Sequence, residues 1–239
     1  MYSVKELFAD LSREELSNLA IGGEGSGSIN EKSWGKLIGC TNEGLIRLHS
    51  RFVLKESEVL LTMFGHITNY HLSSKYALSK QEPEAEGCFY INDLMGEPFE
   101  DDLIKVLTVN DSHGQPLPLN DPENPWSLFT PKFNVLQVTH PKEGMALSVV
   151  YQARHAKLGI EDVDGVSPTD IDIPDVLYGA LKGYISYKVF SHMNTQEATA
   201  KAQEHLSNFE TICNEALDRD LVNTSLSFTS SCFEKRGFV

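Results

Sequence analysis

The first apolar positions, Val4, Leu7, Phe8 and Leu11, fall on one face of a helical wheel behind Ser3, with Glu6 three residues after that serine. This is the capping-box pattern, in which serine and glutamate side chains each take the other's free amide, so a helix is predicted to open at Val4. Ser12 with Glu15 repeats the pattern and predicts a re-nucleation before Leu16 and Leu19. Residues Gly22 to Ser28 are glycine, serine and a single glutamate, which is flexible-loop composition. Behind Asn30, a predicted cap, Trp34, Leu37, Ile38, Thr41, Leu45, Leu48 and Phe52 keep helical spacing. Gly35 and Gly39 stand one turn apart, which predicts another backbone crossing closely there.

The period changes at about Ser57. Runs at 58–63, 67–72, 88–91, 103–109, 134–138 and 146–153 read as strands. Turn residues at Asp111–Gly114 and His140–Gly144 predict hairpin loops. Five prolines between Pro116 and Pro131 predict a long loop over 115–132, of the kind that carries binding surfaces.

Helical spacing returns at Asp172-Ile173-Pro174-Asp175. The helix that follows, to about Met193, is apolar nearly all round and must be covered on more than one side. Asn194 with Glu197 predicts the cap of a last helix, with Ala198, Ala202, Leu206, Phe209, Cys213, Ala216 and Leu217 as its stripe. Beyond Leu221 the chain reads as extended and β-prone, and such a tail usually docks on something. The expected fold is therefore α+β. Helices from 1–55 and 172–222 form one bundle, 56–171 form a large β-rich insert, and 223–239 form an extended arm.

At 239 residues, 41% hydrophobic and 23% charged, the chain is long and apolar enough for substantial cores rather than disorder. The negative charge is concentrated: residues 56–173 hold nineteen acids against seven bases. A surface this acidic repels phosphate, which argues against tight nucleic-acid binding and suits a surface that nucleic acid passes without sticking. The opening residues are amphipathic and acidic, unlike a signal peptide, and no apolar run approaches the roughly 20 residues of a membrane helix, so a soluble protein is expected.

Candidate chemistry is sparse. The glycine loop follows a helix and lacks Gly-Lys-Ser/Thr, so it fits neither phosphate-binding fingerprint. His66, His71, His140 and His155 have no partner at metal-ligand spacing, and Glu97, Glu100, Asp101 and Asp102 do not follow the calcium-loop pattern. Cys40, Cys88, Cys213 and Cys232 form no paired motif and read as reduced thiols. No nucleophile elbow or zinc-protease motif occurs, so no catalytic residue, cofactor or metal is expected.

Several segments carry a resemblance over nearly the whole length. They are Glu15 to Leu19, Thr41 to Phe52, Leu128 to Pro131, Asn134 to Val138, Ala146 to Ala153, and the helical pair opened by Ile173 to Leu177. In order and spacing they resemble the head-to-tail adaptor (connector) proteins of short-tailed bacteriophages. The resemblance implies a non-enzymatic virion protein of the neck: a homo-oligomeric ring, dodecameric, between the portal protein and a tail nozzle or fibre. Genomic DNA would pass through its lumen without specific binding. It further implies portal binding through Leu226, Phe228, Phe233 and Phe238, subunit contacts through Tyr178, Tyr184, Ile185 and Val189, and channel acids at Asp101, Asp102, Asp162 and Asp164. The size of the insert departs from the family pattern. Two other readings stay open, a carbohydrate- or peptide-binding module and a hydrolase using the insert.

Overall fold

The computed structural model describes residues 1–19, 29–80, 87–93, 96, 98–165, 168–193 and 195–222. Its elements are mixed, an α+β fold with helices at both ends of the sequence and two antiparallel sheets between. The chain divides into two compact units, one from Met1–Val53 and His155–Val239, the other from Leu54–Arg154.

In the first unit, α1 (Val4–Arg13) opens as its sequence predicts. Glu6 N donates to Ser3 Oγ at 3.1 Å, and Ser3 N donates to Glu6 Oε2 at 3.0 Å. Ser12 caps nothing: its hydroxyl turns back to the Ala9 carbonyl at 2.8 Å, and 14–18 are turns rather than a second helix. Leu16 is fully buried all the same. Asn30 caps α2 (Glu31–Arg51), accepting from Lys32 N at 3.3 Å. A short α3 (Glu161–Asp164), absent from the sequence expectation, precedes α4 (Asp175–Ser191) and α5 (Gln196–Asp218). The cap of α5 is Thr195, which accepts from Ala198 N at 3.2 Å; Asn194, the expected cap, lies outside the described residues.

The helix predicted to need cover on several sides, α4, packs against α1, α2 and α5. Its buried residues, among them Leu177, Leu181, Tyr184, Ile185, Val189 and Phe190, run round much of the circumference. Residues from His155 onward belong with these helices, not with the strands as the boundary at 171 supposed. Asn42 clamps the segment by two reciprocal 2.9 Å hydrogen bonds with the Leu158 backbone, and Tyr2 pairs with Ile171 as a short β-bridge.

The second unit holds a four-stranded sheet in the order β3-β1-β7-β4: β1 (Glu56–Thr62), β3 (Ile91–Asn92), β4 (Leu103–Asn110) and β7 (Ala146–Ala153). A three-stranded sheet runs β2-β6-β5: β2 (Asn69–His71), β5 (Leu128–Lys132) and β6 (Val135–Val138). Both sheets contribute to one core, with Val59, Leu61, Val149, Tyr70 and Leu136 in it. Strand β5 lies inside the stretch expected to be loop; it is an end strand, where Pro131 costs no inner ladder bond. The turn at 140–144 joins β6 to β7, strands of different sheets, so it is a crossover rather than a hairpin. The hairpin loop after β4 forms as expected, with Asp111 Oδ1 accepting from His113 N and Gln115 N and Gly114 at φ 75°.

Helix crossings are tightest away from the predicted glycines. A methyl at Gly39 would meet nothing within 4 Å, and one at Gly35 only Ile160 at 3.7 Å. At Gly44 it would fall 2.8 Å from Leu181 Cδ1 and 3.0 Å from the Tyr184 ring. The two sites should therefore answer oppositely to the same change. Gly39→Ala should stabilise by about 0.5–1 kcal/mol through helix propensity, whereas Gly44→Ala should destabilise by about 1–3 kcal/mol through overpacking. Paired denaturant titrations check the signs.

Candidate functional surfaces

In the helical unit, Tyr184 is fully buried and its hydroxyl donates to Glu43 Oε1 at 2.7 Å. Lys188 Nζ reaches the same oxygen at 2.7 Å, and the Arg47 guanidinium sits 5.2 Å from the Tyr184 ring centroid. The Lys188 and Tyr184 hydrogen bonds hold the Glu43 carboxyl below its ordinary range. Ile185 and Val189 are buried in the same core. Tyr184, Ile185 and Val189 are thus covered by their own chain, and the expectation that they contact a neighbouring subunit is corrected. Tyr178 is half-buried; it stacks on Tyr2 at 4.0 Å and donates to Asp10 at 2.9 Å, tying α4 to α1. Lys182 bridges Glu14 and Glu15 along the same seam.

The four candidate channel acids are mostly engaged in holding loops. Asp162 is buried: Gly159 N donates to its Oδ2 at 2.7 Å and Thr169 N to its Oδ1 at 2.6 Å. Burial opposes its ionisation, but these bonds outweigh it and hold the carboxyl below its ordinary value. Asp102, 14% exposed at its side chain, accepts from Tyr151 at 2.8 Å with Lys55 at 3.8 Å. Asp101 takes both the amide and hydroxyl of Ser74, at 2.7 and 2.5 Å, and caps a 3-10 turn at Ser74–Tyr76. Asp164 pairs with Lys5 at 2.7 Å on the surface. The pair at 101 and 102 belongs to the β unit and the pair at 162 and 164 to the helical unit. Asp162 is buried, and Asp102 is half-buried at the wall of a cleft, so neither is a freely exposed charge.

Three features of the β unit escaped sequence reading. A cleft of about 740 Å³ is lined by Glu58, Asp93, Glu100 and Asp102, with Lys55 among them. Its carboxylates have internal duties: Glu58 accepts from Ser148 at 2.5 Å, and Asp93 accepts from the Ser79 amide and hydroxyl and from Phe99 N. Trp126, 63% exposed, leans on His140 with ring centroids 5.1 Å apart. A groove of about 360 Å³ runs beside β4, lined by Ile104 to Leu107, Lys105 and Lys132 included, with Phe133 at its rim. Two lysines inside an acidic stretch were the available signal for this last feature.

Among the described residues no cluster of His, Cys, Asp and Glu is arranged to hold a metal, and no helix is long and apolar enough to cross a membrane. Cys40 and Cys213 are buried free thiols, Cys213 pushed up to about 11 by burial, and Cys88 is exposed. Residues 223–239, with Leu226, Phe228, Phe233, Phe238 and Cys232, lie outside the described residues. No protein-family model matches the chain, and no curated protein matches it.

Two outcomes follow from the helical unit. Asp162→Asn should destabilise by about 1.5–3 kcal/mol, the worth of charge-assisted hydrogen bonds from two backbone amides to a buried carboxylate, as read by chemical denaturation. His205 lies on α5 against the Phe190 ring, 5.3 Å between centroids, and burial lowers its pKa against the opposing pull of Glu15 and Glu204. Because the folded value is below the unfolded 6.5, the unfolded chain binds the proton first. Stability is then full above pH 6.5 and declines as pH falls below it, toward the folded value. Melting temperatures between neutral pH and the onset of carboxylate titration should show this slope, and His205→Gln should flatten it.

Proposed function

We propose that the chain is a non-enzymatic structural protein of the bacteriophage neck, a head-to-tail adaptor ringing the DNA path between portal and tail. One observation supports the reading above the rest: the runs that carry the resemblance, Glu15 to Leu19 in the turns after α1 excepted, coincide with elements that build both cores. Thr41 to Phe52 is the half of α2 that supplies Thr41, Gly44, Leu45, Leu48 and His49 to the interior. Leu128 to Pro131, Asn134 to Val138 and Ala146 to Ala153 fall on β5, β6 and β7, and Ile173 to Leu177 opens α4. What is shared with adaptors is then the ordered set of fold-building segments, as expected of a scaffold without catalytic machinery. In this reading the helices of 1–55 and 172–222 are a bundle forming the ring wall, the β-rich unit is an insert facing the tail, and 223–239 binds the portal. With Tyr184, Ile185 and Val189 internal, subunit contacts fall to outward apolar residues, Ile46 on α2, Val176 on α4, Leu217 at the end of α5 and Leu221 in the turn after it.

The test is sedimentation of the chain alone and with the portal protein of the same phage. A monomer that forms a ring only on the portal is the expected result. Truncation after Val222 should abolish portal binding and leave the circular dichroism spectrum unchanged. Leu217→Asp with Leu221→Asp should allow binding of single chains but prevent ring closure. Failure of the intact chain to co-sediment with portal overturns the proposal.

A further inference from the structure

We propose that the open edge of β4 at Ile104–Leu107 is a strand-addition site for an extended acidic segment of a partner protein. The site lies within the β unit alone and does not depend on the adaptor reading. Among the described residues strand β4 ends its sheet, paired with β7 on one side only. Its last residues are closed off by the chain itself, since Leu117 N donates to Val109 O at 2.8 Å and Asn110 pairs with Pro116. Across the groove, β5 is likewise occupied as far as Thr130. Leu128 N donates to Pro118 O at 2.9 Å, Asn120 N donates to Leu128 O at 2.7 Å, and Thr130 N donates to Asn120 Oδ1 at 2.9 Å. Between these closures the edge of β4 at 104–107 is left facing the groove of about 360 Å³.

An end strand needs protection from self-pairing, and β4 carries it: register shifts at Leu103/Lys105 and Val106/Thr108, and the exposed Lys105. A two-fold pairing of two β4 strands centred on Lys105 would set like charges opposite each other. Protection does not account for the facing wall, however. There Lys132 adds a second positive charge and Phe133 stands 67% exposed at the rim.

Charge selects the occupant. Residues 54–154 hold fourteen acids against seven bases, yet this groove is lined by two lysines and no carboxylate. An extended segment alternating acidic with apolar residues would pair its backbone with β4, bring carboxylates to Lys105 and Lys132, and rest an apolar side chain on Phe133. Nucleic acid is also anionic, but it offers no amide ladder to a strand edge and is repelled by the acidic surroundings.

The experiment uses the full chain and a short blocked peptide alternating glutamate with valine, with amide hydrogen exchange followed residue by residue. Saturating peptide should slow exchange by about tenfold or more at those amides of Ile104–Leu107 that face the groove rather than β7, as new ladder bonds form. The same peptide with lysine in place of glutamate should leave it unchanged. Lys105→Glu with Lys132→Glu, both at exposed positions, should weaken the glutamate peptide about tenfold while leaving the fold intact. Absence of binding at millimolar peptide, protection elsewhere than 104–107, or equal protection by the lysine peptide overturns the proposal. Stronger protection of the same amides by oligothymidylate also overturns it, in favour of a nucleic-acid site.

Discussion

The helical unit depends on one constraint: α4 carries more apolar surface than one neighbour can cover. Leu177, Leu181, Tyr184, Ile185, Val189 and Phe190 do not share a face, and all are buried. Each such side chain contributes roughly 1.5–3 kcal/mol on full burial, so a helix left bare on one side forfeits several times that amount. Cover comes from α1 and α2, far away in sequence, and from α5, which follows α4 directly. Close approach is then required, and Gly44 and Gly183 permit it; a methyl at Gly183 would sit 3.4 Å from the His205 carbonyl of α5. Polar groups of α4 follow the same geometry. Tyr178, Lys182, Tyr184 and Lys188 each find an acid on α1, on α2 or in the turn after α1.

In the β unit tyrosines do comparable work by a different route. Tyr70 is fully buried, and its hydroxyl accepts from Phe64 N at 2.9 Å and donates to Phe64 O at 3.1 Å. Tyr90 closes the backbone at His71 in the same two-way manner, and its ring stacks on Tyr76 at 4.9 Å. Both loops would otherwise present amides and carbonyls to a core without partners. Burial pushes the hydroxyls of Tyr70 and Tyr90 up in pKa, so both act as neutral donor-acceptors at any physiological pH.

Local signals proved legible where a single segment determines the outcome. The Ser3/Glu6 box, the Asn30 cap, the Asp111–Gly114 loop and most strand positions depend on residues within a few positions of one another. What was illegible depends on who the neighbour is. Gly35 and Gly39 have the spacing of a crossing, but no backbone arrives there; Gly44 has no special spacing, yet Tyr184 does arrive. Ser12 has the pattern of a cap, but a helix C-terminus ending at Arg13 leaves its hydroxyl only the Ala9 carbonyl. Prolines concealed β5 because their effect on a strand depends on whether it is at the end of its sheet, which the sequence does not record. The apolar positions of α4 do need cover, and at Tyr184, Ile185 and Val189 the same chain supplies it.

The acids show the same limit in electrostatic form. Net charge is a sum over the chain and bears on solubility and on repulsion of phosphate at a distance. What a given carboxylate does is set by its nearest donors. Asp162, Asp102, Asp101 and Asp93 are accounted for by backbone amides and by serine and tyrosine hydroxyls within 3.0 Å, at loops where those donors would otherwise lack partners. Replacing such a residue removes a clamp before it changes a field. A surface charge that acts at long range has to be sought among residues without these duties, and position in the fold identifies them where composition cannot. Lys105 and Lys132 stand out on that criterion because their sign opposes their surroundings, so their effect is local, confined to the groove they line.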